Sequence, residues 1–192
     1  MMPQLSKAQN RHAALYLARL RQAEQQYTND ENAVATSLAA YHRDFDNIQA
    51  AQKWAKSASQ KNASAAKLCS DFGSAAVTLL TRQFSANEAI AWLEAARDAA
   101  ARLGNIYDRL GHVYNLGNLY TLRSENEKAI SCFRECLRVA DGLGEQALRG
   151  KGVFLGQLGT VYFAQNRLDE ALECFAEQLI LARQFKEKRE IT

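Results

Sequence analysis

Val113-Tyr114-Asn115-Leu116-Gly117-Asn118-Leu119-Tyr120 and Leu155-Gly156-Gln157-Leu158-Gly159-Thr160-Val161-Tyr162 are two versions of one phrase, and together they decide the fold. Leu116, Gly117, Tyr120, Ala129 and Phe133 recur as Leu158, Gly159, Tyr162, Ala171 and Phe175, each pair 42 residues apart (158 − 116 through 175 − 133). A fixed period of this size marks a stack of helical pairs, because each pair carries an apolar stripe that it can bury only against its neighbour. The leucine, glycine and tyrosine stand at i, i+1 and i+4 on one side of a first helix, where the glycine lets another helix approach closely. Ala129 and Phe133 stand at i and i+4 on a second helix; the small residue admits a partner backbone and the ring fills the remaining gap. Arg123-Ser124-Glu125-Asn126 and Gln165-Asn166-Arg167-Leu168 form the short polar turns between them.

Outward from these copies the pattern fades. Glu88-Ala89-Ile90-Ala91-Trp92-Leu93 aligns with Lys128-Ala129-Ile130-Ser131-Cys132-Phe133 at an offset of 40 (133 − 93), so a degenerate third copy precedes them, its first helix expected around Phe72 to Arg82. Residues 7–58 do not repeat. One helical segment near Ala8 to Tyr27 carries Leu15, Leu17, Leu20 and Ala23, and a second begins after Asn29-Asp30 and runs to about Ser57. In the second, Val34, Leu38, Tyr41, Phe45, Ile48, Ala51 and Ala55 step by 3 or 4 and predict one buried face. The organisation expected is an N-terminal helical hairpin over 1–62, then repeats over 63–192 at about 66–105 (degenerate), 106–143 and 148–185. Phe133 and Phe175 are expected to be equally buried and Glu125 exposed. Lys188 to Thr192 are expected to open a further repeat, so that the polypeptide continues past Thr192 and this end either self-associates or frays.

At these residues the chain resembles the tetratricopeptide repeat family: its loose pattern of apolar, Leu-Gly, Tyr, Ala, Phe stands here as Val113, Leu116-Gly117, Tyr120, Ala129, Phe133 and as Leu155, Leu158-Gly159, Tyr162, Ala171, Phe175. Asp141 and Arg183 replace the closing proline, and the period is longer than the family's usual 34. Longer units resemble those of scaffold adaptors and of large bacterial signalling proteins. Phe45-Asp46-Asn47-Ile48-Gln49-Ala50-Ala51, followed by Trp54-Ala55, is similar to the helical segment that leads into the repeats of bacterial STAND-type signal-transduction ATPases. The resemblance implies an all-α fold, a right-handed superhelix (α-solenoid) of stacked antiparallel helical hairpins. It further implies a concave groove, lined by the first helices, that receives a protein or peptide. By position the groove residues are Tyr114, Asn115, Asn118 and Thr121 from one repeat and Val153, Gly156, Gln157, Thr160 and Phe163 from the next. Asparagine offers both donor and acceptor, which suits the main chain of an extended peptide. A second reading keeps Asn115 and Asn118 for neighbouring helix ends. Tyr114, Gly111 and Val153 stand where the variant that grips a terminal carboxylate has basic residues, so the resemblance points to internal peptide segments.

Composition agrees with a binding module of the cytoplasm. The chain is 47% hydrophobic and 23% charged, with its one proline at position 3, so nothing interrupts long helices. A formal charge of +3 does not call for nucleic acid. There is no apolar run of ~18 residues to span a membrane, and Met1-Met2-Pro3-Gln4 does not open a signal peptide. Cys132 and Cys174 are repeat equivalents (174 − 132 = 42), which makes packing their expected role, with Cys136 one turn from Cys132 and Cys69 alone. His12, His42 and His112 have no acid or nucleophile at motif spacing. Gly144 to Lys151, GEQALRGK, has five residues between its glycines and Gly152 after its lysine, so it is not a phosphate-binding loop. The expectation is therefore no catalysis, no metal and no cofactor. Two other readings stay open: a small-ligand effector-sensing domain of a STAND-type regulator, and an assembly scaffold that oligomerises through its repeats.

Overall fold

The computed structural model describes residues 3–29, 31–75 and 84–191. Its helices are α1 (Pro3–Asn29), α2 (Val34–Ala58), α3 (Ala63–Ala75), α4 (Ala86–Arg102), α5 (Ile106–Leu122), α6 (Asn126–Leu143), α7 (Leu148–Ala164) and α8 (Leu168–Ile191), with short 3-10 turns at Glu31–Ala33 and Gly144–Ala147. No strand occurs among the described residues. The fold is all-α, an α-solenoid of antiparallel hairpins, and the chain divides into two compact units, Met1–His112 and Val113–Thr192, with the division inside α5.

In the first unit α1 pairs with α2, α3 with α4, and α3 also packs on the first pair. The α1 core stripe is Ala13, Leu17, Leu20 and Ala23; Leu15, expected on that stripe, is 49% exposed. On α2 the buried series is Ser37, Tyr41, Asp44, Ile48, Ala51, Gln52 and Ala55. Ser37 and Asp44 thus take places that an apolar reading gives to Leu38 and Phe45, which are half-buried. Both polar groups have partners: Ser37 Oγ donates to the Ala23 carbonyl at 2.6 Å, and Asp44 accepts from Arg19 at 3.0 Å and from Arg43 at 3.2 Å. Burial without such partners would cost roughly 1–3 kcal/mol for each neutral group. A capping box starts α4: Ser85 Oγ accepts from the Glu88 amide at 3.3 Å while the Ser85 amide donates to Glu88 Oε2 at 3.1 Å. The first helix expected around Phe72 to Arg82 falls largely on residues 76–83, outside those described; the helix paired with α4 is α3, over Ala63–Ala75.

In the second unit α6 packs on α7 and α7 on α8. The 42-residue offset is structural as well as sequential: α5 and α7 start at 106 and 148, α6 and α8 at 126 and 168. Even the turns repeat. Ser124 and Asn166 hold left-handed backbone, φ 57° and 59°. The next amide, Glu125 or Arg167, donates back to the carbonyl of Tyr120 or Tyr162 at 2.9 Å, satisfying the last turn of each first helix.

The glycines of the repeat are buried against its phenylalanines. A Cβ at Gly117 would lie 2.6 Å from Phe133 Cε1, and one at Gly159 would lie 2.7 Å from Phe175 Cε1. The two rings differ on their other sides: Phe133 is fully buried and Phe175 is 37% exposed, against the expectation of equal burial. Phe133 lies in a cluster with Leu155, Leu158, Val161 and Tyr162 of α7. Glu125, expected to be exposed, is half-buried between Arg123 and Lys128. α8 does not stop near residue 185 but runs to Ile191, so Lys188 to Ile191 continue that helix instead of opening another.

Candidate functional site

The polar positions singled out in the repeats lie on α5 and α7 of the second unit. Tyr114, Asn115, Asn118 and Thr121 share one face of α5 at helical spacing, and all four are half-buried. Val153, Gln157, Thr160 and Phe163 share the equivalent face of α7, where Gln157 is half-buried, Val153 is 42% exposed and Phe163 is 65% exposed.

These residues are not equally available to a ligand. The Tyr114 ring packs against Phe133 and Phe154, with centroids 6.1 and 5.7 Å away, so much of it serves the contact between hairpins. Gly156, its equivalent in the next copy, is instead filled by Gln178; an added Cβ would lie 2.6 Å from the amide nitrogen. Thr121 Oγ1 donates to the Gly117 carbonyl and Thr160 Oγ1 to the Gly156 carbonyl, both at 2.9 Å, which turns each hydroxyl onto its own helix. Asn115 and Asn118 stand in the body of α5, away from its first turn. Asn115, Asn118 and Gln157, flanked by exposed Val153 and Phe163, form the part of the face with amide groups to offer. Val153 also borders a cleft of about 240 Å³ that it shares with Leu148, Gln178, Leu181 and Ala182.

The surroundings of this face are stitched by charge. Lys151 on α7 reaches Asp141 of α6 at 3.0 Å and Glu177 of α8 at 2.8 Å. The hydrogen bond to Glu177, and then that to Asp141, holds its ammonium above the usual lysine range. Arg134 donates to the Tyr162 hydroxyl at 2.6 Å, and Arg167 sits over the Tyr162 ring at 4.3 Å. At the turns, Glu125 pairs with Lys128 and Arg167 with Glu170, each at 2.6 Å, while Gln165 donates to Glu127 at 3.1 Å.

One polar pair was not legible from motif spacing. In the first unit Ser70 Oγ lies 3.0 Å from His112 Nε2, and each residue is 1% exposed. Burial depresses the His112 pKa. A nucleophile must reach its substrate, and this pair is sealed in the core, where it satisfies two polar groups with each other. The cysteines Cys69, Cys132, Cys136 and Cys174 are free thiols, three buried and Cys132 half-buried; burial lifts Cys69 to about 11. Among the described residues no group of three or more His, Cys, Asp or Glu is gathered to hold a metal ion, and no helix is long and apolar enough to cross a membrane.

Residues 112–147 and 154–184 match family models of the tetratricopeptide repeat. Both segments are thus similar to tetratricopeptide repeats. The likeness of the chain to a known structure is one of fold: the crystal structure of MamA superposes with a TM-score of 0.51 at 20% identity, covering 88% of this chain and 89% of that one. No curated protein matches the chain. Asn115 and Asn118 lie within the first matched segment and Gln157 within the second.

Proposed function

We propose that this chain is a non-catalytic protein-interaction module whose tetratricopeptide repeats bind an extended peptide segment along the α5 and α7 face. The observation that carries the reading is one of repeat position: half-buried Asn115 and Asn118 on one first helix, and half-buried Gln157 with exposed apolar Val153 and Phe163 on the same face of the next, 42 residues on. Amides pair with a peptide backbone through both donor and acceptor, and the apolar residues give side chains of the ligand something to cover. The added reading, that the module serves a larger bacterial signalling protein, rests on the Phe45 to Ala55 phrase; a nucleotide-binding domain encoded beside it in the gene would support that part.

The test is selection from a random peptide library on the 192-residue chain, followed by calorimetry of the best binders. Asn118→Ala and Gln157→Ala should each weaken binding by about 1–3 kcal/mol, through loss of a desolvated hydrogen bond, with unchanged thermal stability. Selected peptides whose affinity neither substitution alters would overturn the assignment of the face.

A further inference from the structure

A second surface lies on the outer side of α8 and shares no residue with the α5 and α7 face. Leu168, Leu172, Phe175, Leu179 and Ala182 succeed one another at steps of 4, 3, 4 and 3, the alternation of a coiled-coil seam, and all five are exposed. In the preceding hairpin the equivalents of Leu172, Phe175 and Ala182 (172 − 42, 175 − 42, 182 − 42) are Ile130, Phe133 and Ala140, which are 3%, 0% and 2% exposed. The chain thus shows that such a stripe is covered by a helix where one is present: α7 lies against α6.

Charge says which helix fits α8. Asp169 and Arg183, both exposed, stand next to the seam on the same edge, 14 residues apart (183 − 169). At 1.5 Å per residue they are about 21 Å apart along the axis and cannot meet within one chain. Turning a second α8 antiparallel about a two-fold axis beside Ala176 sets Asp169 opposite Arg183 of the second copy, twice over. The same register puts Leu172 against Ala182 of the second copy, large against small, and Phe175 against its Leu179. A parallel pairing offers no such match, because the facing edge then carries Ala171 and Gln178. We propose that two copies of this chain pair antiparallel through α8, the apolar seam supplying affinity and the Asp169–Arg183 pairs fixing direction and register.

Sedimentation equilibrium of the full chain tests this. The expected result is a dimer that Leu179→Glu converts to monomer with unchanged helical circular dichroism. Asp169→Arg alone and Arg183→Asp alone should each raise the dimer Kd by roughly tenfold, since each sets like charges together at two places. The double substitution should restore it, because residues that cannot meet within one helix can compensate only across two. A chain that stays monomeric up to about 0.5 mM overturns the proposal and leaves the stripe to a helix of other origin. So does a dimer in which the double substitution is no better than the single ones. Neither outcome bears on the peptide-binding face.

Discussion

Among the titratable side chains, buried His112 carries the clearest consequence for stability. Burial holds its imidazole neutral where an exposed histidine takes up a proton, near pH 6.5. Between that ordinary value and the lower one in the core, the unfolded chain binds more protons than the folded one. Stability therefore falls as pH is lowered through this window and levels off beneath it, with a slope of at most about 1.4 kcal/mol per pH unit. Urea midpoints measured between about pH 7.5 and 5.5 should show this decline, and His112→Gln, which keeps a partner for Ser70, should flatten it. Single residues were also where sequence reading reached least far. Tyr114 carries the aromatic character of a ligand contact, yet its ring is taken up by Phe133 and Phe154. Ser37 and Asp44 lie outside the apolar series of α2 yet are buried, because partners on α1 supply what water would. Partners distant in sequence leave no trace in a local pattern.

At the scale of elements, the glycines of the first helices are the sensitive points. Gly117→Ala drives a methyl group into the fully buried Phe133 ring and should cost about 1–3 kcal/mol even after the better helix propensity of alanine is counted. In the monomer Gly159→Ala meets the same geometry, but Phe175 is open there on its far side and can swing outward, so at concentrations that keep the chain monomeric the change should be close to neutral. Chemical denaturation of both variants separates the cases; equal losses would mean that Phe175 is as confined as Phe133. The contact itself was readable from Leu-Gly-Tyr and Ala-Phe at their spacings. The unequal burial was not, since it depends on what lies beyond the hairpin. Helix ends divided likewise: polar turns marked the close of α5 and α7, whereas α6 closes on Gly144 at φ 62° and α8, with lysine at the equivalent position 186, runs on to Ile191.

For the molecule as a whole, the two compact units predict that damage stays local. Phe133→Ala should cost about 3–5 kcal/mol and speed hydrogen exchange in α6 and α7, with little change in α1 and α2. Exchange that accelerates uniformly along the chain would mean a single cooperative body. The repeating half was legible because periodicity reports on every residue at once; the N-terminal half keeps it only from Glu88 to Leu93, and which helix pairs with α4 there, α3 over Ala63–Ala75, emerges only in three dimensions. The turns carry a last consequence. Glu125 with Lys128 and Arg167 with Glu170 are the same pair with its signs exchanged (167 − 125 = 170 − 128 = 42), and Gln165 touching Glu127 makes the two turns neighbours. Anion therefore follows cation from one repeat edge to the next. Copying the first repeat over the second would put glutamate at 167, where Arg167 now feels the charge of Glu127 on the neighbouring turn, so the two repeats are matched in polarity as well as in shape.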